Sequence, residues 1–167
     1  YIQKVKINWE MVELPEQFKK IQKHLIDCKK SKLIEAQRLG YCNSIEISKS
    51  QLLELQLEYQ KKLNSGFHEF ELLRSVSLIA EALKVDHALE LLESQGLKQL
   101  DNYFKKIQIE ALSSKTKAVK NLSFDLNFKS AAYLTAELVE QNVEHPKLIK
   151  LQQIVVRLPA ENSKTII

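Results

Sequence analysis

The chain has 167 residues, 44% of them hydrophobic and 28% charged, with three glycines, three prolines and a formal net charge of +4. That length suits one compact domain with a substantial core, and the apolar content argues against disorder. No apolar run approaches the roughly 20 residues of a transmembrane helix, and Gly40, Gly66 and Gly96 are too few and too scattered to write a glycine-rich phosphate loop, so a soluble cytoplasmic domain that does not itself hydrolyse ATP is expected.

Residues 5–11 alternate Val5, Ile7, Trp9 and Met11 with polar neighbours, the period-two pattern of a strand buried on one face. Pro15 suits a first helical turn, and Phe18, Ile21, Leu25 and Cys28 recur at helical spacing, continued by Leu33, Ala36 and Leu39 until Gly40 closes the helix. Its other face carries Lys19, Lys20, Lys23, Lys29, Lys30, Lys32 and Arg38. His24 and Cys28 lie one turn apart, but no second ligand pair has metal-site spacing, and Cys28 and Cys42 form no CxxC pair; reduced thiols and no metal are expected.

Ser48 and Gln51 match a capping box that opens a second helix reaching about Leu63. After Gly66 comes the longest predicted helix, roughly residues 67–94, with the stripe Phe70, Leu73, Val76, Ala80, Leu83, His87 and Leu91. Leu72, Ile79, Ala88 and Leu92 widen that stripe, which makes this helix the expected centre of a bundle. His87, on the stripe and without a partner in sequence, reads as a hydrogen-bonded core or boundary histidine. Gly96 is expected to supply a left-handed residue at the helix end.

Leu97, Leu100, Phe104, Ile107 and Leu112 mark the next helix, and Ser113 and Ser114 are placed to cap a short one after it. The period weakens around residues 124–127 before Ala131, Leu134, Leu138 and Val139 mark another. His145 turns the chain into a last helix begun by Pro146, with Leu148, Leu151, Ile154, Val155 and Leu158 along one face. The fold class predicted is all-α: an antiparallel bundle of six or seven helices over residues 15–158, with short extended segments at residues 1–14 and 159–167.

Charge is unevenly spread. Residues 1–40 hold 9 Lys/Arg and 5 Asp/Glu, residues 41–100 hold 6 and 9, and residues 101–167 hold 10 and 7, so the two ends are basic and the middle is acidic. The sharpest candidate site is S-S-K-T-K-A-V-K at residues 113–120, where Lys115, Lys117 and Lys120 stand with the hydroxyls of Ser114 and Thr116 and no acid. Helix amides, hydroxyls and ammonium groups bind phosphate oxygens without reading bases. Lys105, Lys106 and Lys129 are positioned to widen that surface. On composition alone these lysines read first as a solvated face. The first helix ranks lower, because its lysines are spread around the helix and have Glu16, Asp27 and Glu35 within reach. Tyr103 and Phe104 read as boundary and core, not as a single-strand platform, and no nucleophile, metal cluster or paired acid and base marks an enzyme.

Five blocks carry a resemblance: Y-I-Q-K-V-K-I-N-W-E-M-V-E-L-P at residues 1–15, H-A-L-E-L-L-E-S-Q-G at 87–96, the lysine segment at 113–120, E-H-P-K-L-I-K-L-Q-Q-I-V at 144–155 and N-S-K-T-I-I at 162–167. In this order they resemble the helical insertion domain of archaeal Hef-like helicases, the superfamily 2 branch related to the Fanconi anaemia M helicase. The resemblance implies a thumb-like domain projecting between two RecA-like motor domains, with Tyr1 onward leaving the first and Lys164 to Ile167 entering the second. It implies no cofactor in this segment, ATP and Mg2+ in the motor domains, and a parent that is an ATP-dependent DNA helicase of repair, with a nuclease domain in some members. It also turns Lys115, Lys117 and Lys120 from a solvated face into contacts with the backbone of branched or forked duplex DNA. The alternative is a docking module for another protein or for its own motor domains.

Overall fold

The structure is a computed structural model that describes residues 13–160, and the side chains of residues 13–156. The alternating segment at residues 5–11 and the last residues, 161–167, lie outside the described residues. Seven helices make up the described part: α1 Glu16–Arg38, α2 Lys49–Asn64, α3 Phe70–Ser94, α4 Leu97–Ser113, α5 Lys117–Phe124, α6 Leu126–Glu140 and α7 Pro146–Ala160. The all-α class is as predicted, and α3 is the central member, lying against α1, α2, α4 and α5.

Local chemistry sets most helix ends. The Ser48 hydroxyl accepts from the Gln51 N–H and the Gln51 side chain accepts from the Ser48 N–H, so both halves of the capping box form. Gly40 and Gly66 sit just past α1 and α2 at φ 81° and 93°. At the second, the Gly66 N–H donates to the Leu63 carbonyl and the Phe67 N–H to the Lys62 carbonyl, which satisfies two carbonyls the helix leaves open. Asn142 does the same for α6 at φ 53°. Gly96 does not: at φ 161° it is extended backbone, the residue before α4 and not a left-handed cap of α3.

Two apolar cores share the long helices. One gathers Phe18, Ile21, Leu25 and Cys28 of α1 with Val85, Ala88 and Leu92 of α3 and the inner faces of α4, α5 and α6. The other joins Leu33 and Ala36 of α1 and Leu72, Leu78, Ile79 and Ala82 of α3 to Cys42 and to Leu52 and Tyr59 of α2. Between them lies a polar layer. Glu81, 0% exposed, receives Asn121 Nδ2 at 2.7 Å and the Ser77 hydroxyl at 3.2 Å on one oxygen. Lys32 lies 3.4 Å from its other oxygen and 3.0 Å from Asp125. Lys32, expected on the solvated face of α1, is therefore buried, because only a cation can balance two carboxylates at that depth.

The predicted apolar stripes need three corrections. On α3 the buried residues are Leu72, Ser75, Ser77, Leu78, Ile79, Glu81, Ala82, Val85, Ala88 and Leu92, whereas Phe70 is 73% and Leu73 46% exposed. Leu72, Ile79, Ala88 and Leu92 of the predicted stripe are buried and Val76, Leu83 and Leu91 are half-buried against the two cores, so only one edge of the stripe is left open. His87 lies on the outer side of the stripe: its ring is exposed, edge-on to Tyr103 at 4.9 Å, with Nδ1 3.6 Å from Glu90. The buried histidine is His145, whose Nδ1 accepts from the Lys147 N–H at 3.1 Å while Nε2 donates to the Leu92 carbonyl at 2.8 Å. It serves as the cap of α7 and the partner of an open carbonyl in the last turn of α3. Leu112 on α4 is 89% exposed, and Leu148, Leu151 and Val155 of α7 are exposed as well. Among the described residues α7 packs along no other helix.

Candidate nucleic-acid interface

The lysine segment is displayed by the short helix α5. Helix α4 ends at Ser113, and the Ser114 N–H still reaches back to the Glu110 carbonyl, so Ser114 closes α4 and does not cap α5. Its hydroxyl accepts from the Thr116 N–H at 2.9 Å and fixes the turn between the helices. Thr116 takes the capping position of α5 but makes no side-chain cap, which leaves the start of that helix open. Ala118, Val119 and Leu122 then plug the apolar face of α5 into the core. Helical spacing places Lys117 and Lys120 on the opposite face, and both are exposed, as are Lys115 and Thr116.

Asn121 is a contributor that sequence reading missed. Its hydrogen bond to Glu81 ties α5 to α3, and Asp125, which caps α6 through the Phe128 N–H at 3.1 Å, holds the other end of the segment to Lys32. Burial pushes the Asp125 carboxyl up, but the Phe128 N–H and the Lys32 ammonium outweigh it and hold the group below its usual range. Burial also disfavours the Lys32 charge, yet Asp125 and Glu81 reverse that and raise its pKa. Burial and the neighbouring Asp125 carboxylate push the Cys28 thiol up. The only hint of this layer in the sequence is the presence of Glu81 among apolar neighbours on α3.

The predicted lysines are not equivalent. Among the described residues, Lys115, Lys117 and Lys120 have no ion-pair partner, whereas Lys105 is paired with Asp101 one helical turn away. Lys106 is exposed on α4 beside Asn102, Ile109 and Glu110. Lys129 lies over the ring of Phe124, the last residue of α5, at 5.5 Å, so it extends the charged surface past the far end of that helix. On α1, Lys29 is bound to Asp86 at 2.7 Å and Lys32 is buried, which strips that helix of two of its cations. His24 pairs with Asn127 at 3.0 Å, while Cys28 is turned into the core. Of the predicted site, Lys115, Lys117 and Lys120 at the start of α5 are exposed and without an ion pair among the described residues, as is Lys106 on α4.

A family model described as "Putative ATP-dependent RNA helicase, helical bundle" matches residues 17–145. A protein of Methanocaldococcus jannaschii named "Putative ATP-dependent RNA helicase MJ1505" is 36% identical over 165 residues, covering 97% of this chain and 19% of that protein. The crystal structure of the Pyrococcus furiosus Hef helicase domain matches with a TM-score of 0.84 at 33% identity, over 98% of this chain and 35% of that one. The chain spans a minor part of each relative. No described helix is long and apolar enough to cross a membrane. The chain belongs to the family described as "Putative ATP-dependent RNA helicase, helical bundle" and is the helical domain of a Hef-like helicase.

Proposed function

We propose that this domain holds and orients duplex nucleic acid, forked DNA in particular, by its phosphate backbone while motor domains of the same parent protein consume ATP. The observation that carries this reading is the unpaired, outward set Lys115, Lys117 and Lys120 at the open start of α5, with Ser114 and Thr116 beside it. Ammonium groups without carboxylate partners give up no ion pair when they meet phosphate, and they release the counterions condensed there. The parent is then a DNA helicase of repair, and the Mg2+ and ATP belong to its motor domains.

The relative from Methanocaldococcus is named for RNA, and backbone contacts do not by themselves select the sugar, so forked DNA, linear DNA and duplex RNA belong in one titration. The triple variant K115Q/K117Q/K120Q should stay folded and bind forked DNA more weakly, its salt dependence shallower by roughly 0.9 for each phosphate that is no longer neutralised. Unchanged affinity and slope in a folded triple variant refute the proposal.

The second reading, a docking module, is favoured by one feature: the exposed leucines and Val155 along α7, which no described helix covers. Saturable binding to the separated motor domains, without DNA affinity, supports it.

A further inference from the structure

The face of α3 that sequence periodicity assigns to the core borders a groove of about 400 Å³, within the ~300–1000 Å³ range of small-ligand clefts. Leu73 and Ala80 contribute to its apolar wall, and the Phe70 ring, 73% exposed, stands on its rim. Gln56 and Gln60 of α2 bring amide groups to the groove, Arg74, itself bound to Glu35, lines it from α3, and Lys117 of α5 lines it as an unpaired cation. No Asp or Glu lines it.

This composition selects against most occupants. An apolar wall with an exposed aromatic ring favours a flat, hydrophobic body. Two carboxamides favour a ligand edge with both donors and acceptors, and a cation in a lining without acids favours an attached anion. An unstacked nucleobase on its phosphate has all three properties. Lys117 belongs both to the groove and to the exposed set with Lys115 and Lys120, which puts the groove beside a duplex held there. We propose that this groove takes an unpaired base from a single-stranded arm, stacked against Phe70 with its edge facing Gln56 and Gln60. The inference rests on the nucleic-acid reading above and deepens it: Lys115 and Lys120 hold the duplex and the groove senses the arm.

The test uses the 167-residue chain, a blunt DNA duplex and the same duplex with a single-stranded arm carrying 2-aminopurine. Wild type should bind the armed duplex more tightly and quench the 2-aminopurine. F70A should keep its circular dichroism, bind the blunt duplex as wild type does, and lose roughly 5-fold or more of its affinity for the armed one, the low end of what removing a base–aromatic stack costs. F70W should retain both the affinity and the quenching. If F70A weakens both duplexes equally, or the 2-aminopurine is not quenched, the groove proposal fails while backbone binding stands. If wild type binds neither duplex, the function proposed above fails and takes this inference with it. Full affinity for the armed duplex in F70A leaves the groove to a protein partner and also overturns the inference.

Discussion

Replacing Lys32 by methionine tests the polar layer that divides the two cores. The hydrocarbon stem is kept, but Glu81, 0% exposed, loses the ammonium 3.4 Å from its second oxygen, and Asp125 loses the one at 3.0 Å. Arg74 replaces Lys32 only in part: its Nη1 stands 3.7 Å from the other Glu81 oxygen, while Nε and Nη2 are held by Glu35 at 2.7 and 2.9 Å. Removing one partner of a buried pair costs about 3–5 kcal/mol. We take the low end, about 3 kcal/mol, since water reaches the 11% of the Lys32 side chain that is exposed. For a domain of this size that lowers Tm by about 6–12 °C. K32M/E81Q should lose less than the sum of its single variants, because neutralising Glu81 removes the orphaned charge while leaving an acceptor for Asn121 and Ser77.

The pH dependence has a definite sign. Lys32, whose pKa is raised on folding, contributes stability that is full below its ordinary 10.5 and is lost as pH rises through the raised value. Asp125, whose pKa is lowered, contributes stability that is present above its ordinary 3.8 and is lost as pH falls through the lowered value. The gap between wild type and K32M in urea unfolding should therefore be widest between those limits and close outside them. A loss below about 1 kcal/mol at neutral pH, the scale of an exposed ion pair, or strict additivity in the double variant, refutes the layer as a structural element.

Two further substitutions probe the helix ends. Gly66→Ala meets no atom within 4 Å but forces an alanine to φ 93°, so urea unfolding should show a cost of about 1–2 kcal/mol, with Gly96→Ala at its extended position costing less; equal costs would contradict the cap geometry. His145→Ala removes the bond to the Leu92 carbonyl, the cap on the Lys147 N–H and the edge-on packing against Phe18, and should cost about 2–3 kcal/mol and speed hydrogen exchange at the start of α7; unchanged exchange there would show that α7 is held by something else.

The legible parts of the fold are those written locally. Pro15, the Ser48 and Gln51 pair, Gly40 and Gly66 each act within a few residues, and the structure keeps all of them where the sequence places them. What depends on distant partners is not legible. Lys32 looks like any other lysine on a basic helix until α3 and α6 bring two carboxylates to it. His87 is exposed because it lies on a face that turned outward, and His145, at the turn into α7 as expected, is buried because it lies beneath the open end of a helix far away in sequence.

The open edge of the α3 stripe shows how this limit bears on function. A central helix enclosed by α1, α2, α4 and α5 buries most of its circumference, so apolar residues occur nearly all around it and periodicity cannot fix which arc is left bare. Phe70, Leu73, Val76 and Ala80 fit a core stripe by spacing, yet all four line the open groove beside Lys117. An apolar arc that the fold does not consume, at the foot of the helix presenting the unpaired lysines, is where local pattern and tertiary packing disagree, and such disagreements concentrate at sites that serve a partner. The lysines could be found from sequence because charge without acid is visible there. The groove could not, because its residues differ from core residues only in what packs against them.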